Sequence, residues 1–180
     1  MKNTWTQLYT KKEFDIFNPK VEDIDIQDIA HALAMKCRFN GHCDQFYSVA
    51  EHCVRMSFWD LPGSPEWCLM HDAAEAYLPD IARPIKPTTY FQYQNRFIKF
   101  EEIENNILNL ISQRFNLSPY NKDEIKKADD IMCATEARDL MGNPTNWDLP
   151  FSPYSEKIKP WSWRKAERNF LKMAKELNIK

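Results

Sequence analysis

Apolar residues recur at three- and four-residue steps along most of this 180-residue chain, and no alternating run of useful length interrupts them, so the pattern predicts helices. From Asp23, DIDIQDIAHALAMKC places Ile24, Ile26, Ile29, Leu33 and Met35 on a helical stripe, with acidic residues near its start where the helix dipole favours them. RFNGHCD, from Arg38 to Asp44, holds a glycine and an asparagine and reads as a loop. Further helices are expected from about Phe46 to Trp59, and from about Pro65, a residue suited to a first turn, to about Tyr77. Prolines 79, 84 and 87 make LPDIARPIKP an extended loop. The longest stripe carries Phe97, Phe100, Ile103, Ile107, Leu110 and Ile111 and predicts one amphipathic helix from about Tyr90 to Phe115. Two more helices are expected, from about Asn121 to Met141 and from Pro160 nearly to the C-terminus. Residues 1–22 form an irregular or short-stranded lead-in, and 142–160 a proline-rich, aromatic connection of the kind that covers a site. The expected fold is a single all-α domain over 1–180, a bundle of about six main helices.

Composition narrows the function classes. With 43% hydrophobic and 28% charged residues the chain is an ordinary globular protein. Its three glycines, Gly41, Gly63 and Gly142, stand too far apart to write a G-x-G-x-x-G turn or a phosphate-cradling P-loop. A net charge of -2 supplies no general attraction to nucleic acid or to an anionic membrane. Five cysteines with no C-x-x-C pair, in apolar or helical contexts, fit reduced thiols and a cytoplasmic location. The N-terminus has no signal-peptide apolar run, and no stretch approaches the ~20 apolar residues of a membrane span.

The candidate chemistry lies with the four histidines. His71 is followed at once by Asp72, with Glu75 one turn later and Asp80 beyond, while His52 sits on the preceding expected helix. Helices joined by a short turn pack as antiparallel neighbours, so His52 can face the His71-Asp72 pair. A later helix offers Asp129 and Asp130, then Glu136 about two turns on. Two imidazoles and two carboxylates would hold one divalent cation with positions open for water and substrate. Any one of these residues alone is more often structural; the joint pattern carries the reading.

The order His52, His71-Asp72, Asp129 resembles the HD-domain phosphohydrolases, all-α metal-dependent enzymes named for that His-Asp pair. DIAHALA, CRFNGH, FYSVAEH, HDAAEAYLPDIARPIK and KKADDIMCATEARDLM are similar to the small members typified by bacterial 5'-deoxyribonucleotidases and phage dATP triphosphohydrolases. The resemblance implies one divalent metal ion (Zn, Co or Mn) on His52, His71, Asp72 and Asp129. Asp129 is preferred to Asp130 because the family's metal aspartate directly follows an alanine, here Ala128. It also implies active-site roles for Glu75, which orients the water or protonates the leaving oxygen, and for Asp80, which accepts from a sugar hydroxyl. One departure stands before the first histidine: the nucleotidases carry Arg-Trp where this chain has Arg38-Phe39.

Anionic phosphate needs further positive partners. Arg38 and Lys86 are suited to it, Arg83 is a weaker candidate, and His42 is placed to donate to a phosphate or to cap its loop. Phe39, Tyr47, Tyr77 and Trp147 are candidates for stacking on a base, and His31 is left to a structural role. What the resemblance implies is hydrolysis of dATP to deoxyadenosine and triphosphate, by attack of a metal-activated water on the α-phosphorus. In a phage this would remove dATP from the host's cytoplasmic pool. The alternatives are a 5'-deoxyribonucleotidase releasing phosphate from monophosphates, a hydrolase of cyclic nucleotides or hyperphosphorylated guanosine, and a non-catalytic nucleotide-binding module. Expected partners are a deoxynucleotide and further copies of the chain, the helix over 90–115 being a candidate interface; nucleic acid and membrane are not expected.

Overall fold

The structure, a computed structural model, describes residues 4–142, 147 and 149–180; residues 143–146 and 148 of the expected 142–160 connection lie outside them. Six α-helices are found among the described residues: α1 Ile26–Met35, α2 Val49–Phe58, α3 Pro65–Met70, α4 Phe100–Phe115, α5 Lys122–Leu140 and α6 Trp163–Glu176. Local signals set most of their ends. The side chains of Asp25, Ser48, Ser64, Asn121 and Ser162 each accept a backbone N–H from the first turn that follows, which satisfies donors that a helix start leaves without partners. Pro65 opens α3, and Asn116, with φ 50°, closes α4 in the left-handed conformation.

Two expectations are corrected. The helix expected over 90–115 is a hairpin, β3 (Tyr90–Tyr93) and β4 (Arg96–Lys99), followed by α4; a second hairpin, β1 (Trp5–Gln7) with β2 (Glu13–Asp15), lies in the lead-in. The β3–β4 turn places Gln94 and Asn95 at φ 47° and 62°, the left-handed geometry of a tight hairpin. Phe91, Tyr93 and Ile98 then share its half-buried face, Tyr93 stacking on Phe17 at 4.1 Å, while Tyr90 and Phe97 remain exposed on the other. The face expected of one long helix is therefore split between a sheet and α4. The helix expected over 65–77 also breaks: α3 ends at Met70, and a separate 3-10 turn, Ala73–Ala76, follows.

Helix α2 is the centre of the bundle. Every residue from Val49 to Ser57 is buried, and α1, α3, α5 and α6 pack around it. Burial of apolar area at roughly 25 cal/mol per Å² places Phe14, Phe100, Phe170, Leu33, Leu69 and Ile107 among the main sources of cohesion. Gly63, at φ 92°, is required by packing as well as conformation, since a Cβ there would lie 2.6 Å from Cδ1 of Ile125 on α5. The end of the 142–160 connection is laced to the bundle rather than lying loose. Arg55 pairs with Glu51 and donates to the Lys159 carbonyl, Glu51 accepts from the Trp161 N–H, and Arg138 and Asp139 bind the backbone of Tyr154, Glu156 and Ile158. No described helix is long and apolar enough to cross a membrane.

Candidate metal centre

Three elements deliver the centre. Ser48 caps α2, and His52, one turn further on, is fully buried. His71 caps the C-terminus of α3, and Asp72 leaves helical geometry at φ -96°, ψ 8°. Asp129 comes from the middle of α5. The neck of the Arg38 loop is closed by a bridge of Cys37 with Ser48, so Arg38 enters beside the start of α2.

The donor atoms converge. His52 Nε2 lies 3.4 Å from His71 Nε2 and 3.4 Å from Asp129 Oδ1, and His71 Nε2 lies 3.4 Å from Asp72 Oδ2. Donors held ~2.1 Å from one ion at tetrahedral angles are themselves ~3.4 Å apart, so His52, His71 and Asp72, whose remaining pair, His52 Nε2 to Asp72 Oδ2, is 3.9 Å apart, suit a shared cation. The other ring nitrogens are already committed. His52 Nδ1–H donates to Glu136 Oε1 at 2.6 Å, and His71 Nδ1–H donates to the Cys68 carbonyl at 3.0 Å. That arrangement turns both Nε2 atoms toward the carboxylates, the position that a metal-ligating nitrogen occupies once it has given up its proton. His52, His71 and Asp72 form a group able to hold a metal ion, with Asp129 at its edge through His52.

Charge in the cluster is interlocked. Arg38 is held by Glu136, at 3.0 Å from Oε2, and reaches Asp72 at 3.5 Å and Asp129 at 3.9 Å. Burial and the Arg38 guanidinium press His52 toward its neutral form, but Glu136 and Asp129 outweigh them and push its pKa up to about 9. Burial would raise the Asp72 carboxyl, and the His71, His52 and Arg38 charges hold it below its usual range. Asp129 is likewise held down against burial, by its hydrogen bond to His52 and by the charges of His52, His71 and Arg38. Glu75 goes the other way: burial first, then the Asp72 and Asp80 charges, push its carboxyl well above the ordinary carboxylate range.

The chain is 36% identical over 137 residues to the uncharacterized protein YfdR of Escherichia coli K12, a match covering 76% of this chain and 72% of that protein. The chain belongs to the YfdR family. A second member of similar likeness, an uncharacterized protein of Rhodobacter capsulatus, is 31% identical over 156 residues, covering 79% of this chain and 76% of its own. No family model matches the chain. Both of these YfdR-family relatives are uncharacterized.

The remaining expected site residues fall into two groups. Asp129 faces His52, whereas Asp130, one residue and ~100° further round the helix, turns to Arg83 and Lys126. Arg83 bridges Asp129 and Asp130 from the proline-rich segment. Lys86 pairs with Glu104 at 2.8 Å, with the Glu75 and Asp72 charges also acting on it. Asp80 is half-buried and lies within the fields of Glu75 and Lys36. Phe39 has a left-handed backbone, φ 54°, and sits between the Arg38 guanidinium and the Trp147 ring, 5.3 and 5.7 Å from its centroid. His42 is exposed, and no side-chain contact among the described residues joins it to the centre; its backbone N–H closes the turn onto the Phe39 carbonyl.

Tyr47 and Tyr77 are removed from the stacking candidates, because both are buried and Tyr77 stacks on Phe14 in the core. His31 has a structural place between Tyr9, stacked at 3.8 Å, and Glu167. Three groups near the centre had no assigned role from sequence: Glu136, whose only signal was its spacing from Asp129, and Glu104 and Tyr120, which gave none. Tyr120 stands on the loop before α5, and burial together with the Asp72, Asp129 and Glu104 charges raises the pKa of its hydroxyl.

Proposed function

We propose that this chain is a metal-dependent phosphohydrolase of the HD-domain type that acts on deoxynucleotides, cleaving dATP to deoxyadenosine and triphosphate. The observation that carries the reading is the convergence of His52 Nε2, His71 Nε2 and Asp72 at 3.4–3.9 Å separations, with Asp129 3.4 Å from His52 Nε2 at the edge of the group and each imidazole fixed from behind. That donor set fits one divalent ion such as Zn, Co or Mn. When bound, the ion supplies Lewis-acid polarisation of a phosphoryl oxygen and activation of water for attack on phosphorus.

The chain's own residues account for the other requirements. Glu75, its carboxyl kept protonated by burial beside Asp72 and Asp80, is suited to give a proton to the departing 5'-oxygen of the sugar. Arg38, anchored on Glu136, places a fixed positive charge beside the centre, while Arg83 and Lys86 extend positive charge around its rim for the outer phosphates. Asp80 would accept from a sugar hydroxyl, and the Phe39–Trp147 pair would offer an aromatic wall for the base.

A monophosphate reaction is favoured by a separate observation: Arg83 and Lys86 are each paired to carboxylates, which leaves less free charge for a β- and γ-phosphate. One experiment separates the two. The protein, loaded with Mn²⁺, Co²⁺ or Zn²⁺, is incubated with dATP and with dAMP, beside Asp72→Ala, and products are resolved by ion-exchange chromatography. Triphosphate from dATP with the wild type alone supports the proposal. Phosphate from dAMP alone supports the nucleotidase. Equal product from both proteins, or none from either with any metal, sinks the enzymatic assignment.

A further inference from the structure

The broken helix that carries the site has a backbone problem at Glu75. In a continuing helix the Glu75 carbonyl would accept from the N–H four residues on, but that residue is Pro79, which has none. The 3-10 turn Ala73–Ala76 therefore ends with an acceptor stranded beside the Glu75 side chain, which is itself buried.

The missing donor comes from another element. Lys36 caps the C-terminus of α1, where its N–H donates to the Ala32 carbonyl at 3.2 Å and its own carbonyl accepts from Val49 at 3.0 Å, the first residue of α2. The backbone of Lys36 is thus tied to the helix that carries His52. Its ammonium runs under the 3-10 turn and donates to the carbonyls of both Glu75 and Leu78, which bracket the turn leading to Asp80. The carboxylates that act on its charge are Glu75, Asp80 and Asp72.

We propose that Lys36 is a positioning residue that, through the backbone carbonyls of Glu75 and Leu78, holds the Glu75–Asp80 turn in register with the centre. The proposal rests on the reading of Glu75 and Asp80 as active-site groups. Lys36 itself need not touch the substrate: it fixes where the Glu75 carboxyl stands relative to His71 and Asp72, and misplacement of about 1 Å is enough to cost about a hundredfold in rate.

The test compares full-length wild type, Lys36→Met and Lys36→Arg, each loaded with Mn²⁺. Three quantities are read: steady-state hydrolysis, Mn²⁺ affinity by calorimetry, and amide hydrogen exchange mapped along the chain. Lys36→Met is expected to lower kcat by about 10- to 100-fold, as loss of an orienting partner does, with KM and Mn²⁺ affinity within about threefold of wild type. Exchange is expected to quicken in residues 73–80 and to stay unchanged in α2 and α5. Lys36→Arg, which keeps donors and charge, is expected to recover most of the rate and of the protection. Wild-type kcat and wild-type exchange in Lys36→Met would overturn the proposal. So would faster exchange spread evenly over the whole chain in both variants, because that marks general support of the fold. If the wild type hydrolyses no deoxynucleotide, the functional reading falls, and the exchange pattern of the two variants still decides whether Lys36 holds this turn.

Discussion

His52 Nδ1 lies 2.6 Å from Glu136 Oε1, and both side chains are fully buried, so a carboxylate from α5 fixes the orientation of an imidazole on α2. The other oxygen of Glu136 holds Arg38. Glu136 thus serves the buried His52 ring and the half-buried Arg38 guanidinium, and its loss strands both. Glu136→Ala is predicted to cost about 3–5 kcal/mol of stability, the usual penalty for leaving a buried charge without its partner. Glu136→Gln keeps the shape and is predicted to remain folded while binding metal about 10- to 100-fold more weakly. Thermal melts and metal titrations check the two effects, and a Glu136→Gln protein with wild-type metal affinity would refute the role.

The raised pKa of His52 gives a pH signature. In protein stripped of metal by a chelator, the imidazolium is favoured by Glu136 and Asp129, with a folded pKa of about 9 against an ordinary ~6.5. A raised folded pKa contributes stability that is complete below about 6.5 and is lost as pH rises to about 9, at most about 3 kcal/mol by linkage. Metal requires the neutral ring, so it competes with that proton. The melting temperature of stripped protein is predicted to fall between pH 6.5 and 9, while the rise in melting temperature on adding metal grows over the same window. A metal-induced rise that is flat with pH contradicts the assignment of His52.

Glu75 carries the opposite expectation. Its carboxyl is pushed above the ordinary range by burial and by Asp72 and Asp80, so it holds its proton near neutrality and loses it as pH rises. Glu75→Gln is predicted to lower kcat by about 10²- to 10⁴-fold with little change in metal affinity, and to remove the alkaline limb of the pH–rate profile that Glu75 produces in wild type. A Gln variant with the wild-type limb would assign that limb to another group.

Asp129 and Asp130 separate by direction. Asp129 faces His52, whereas Asp130 is 3% exposed and bound to Arg83 and Lys126. Asp129→Asn is predicted to weaken metal binding by about tenfold or more, and Asp130→Asn by less than about threefold, since only the former removes a charge that faces His52. Equal losses in the two variants would contradict the division.

Much of this was legible in local sequence. Pro65 and Asn121 announce helix starts, and the His71-Asp72 pair announces the centre, because first-turn preferences and adjacent ligands are short-range features. The β3–β4 hairpin was hidden because Phe97 sits at helical spacing from Phe100, and the Gln94-Asn95 turn has no glycine to mark it. The break after Met70 was missed because Ala73, Ala74 and Ala76 are good helix formers, although Pro79 already denied Glu75 its helical partner. The Glu136–His52 and Lys36–Glu75 contacts span 84 and 39 residues, so they exist only once α5 and α1 have packed. Phe39 and Trp147 likewise become neighbours through tertiary structure alone.

The most direct test of the account is the number of metal ions held per chain. Wild type and a His71→Ala/Asp72→Ala variant are equilibrated with Co²⁺ or Mn²⁺, dialysed, and analysed for metal and protein together, with circular dichroism confirming that both are folded. Convergent Nε2 atoms of His52 and His71 beside Asp72 and Asp129 predict about one ion per wild-type chain and none in the variant. An equal ratio in both proteins, or no ion held by wild type with either metal, would contradict it.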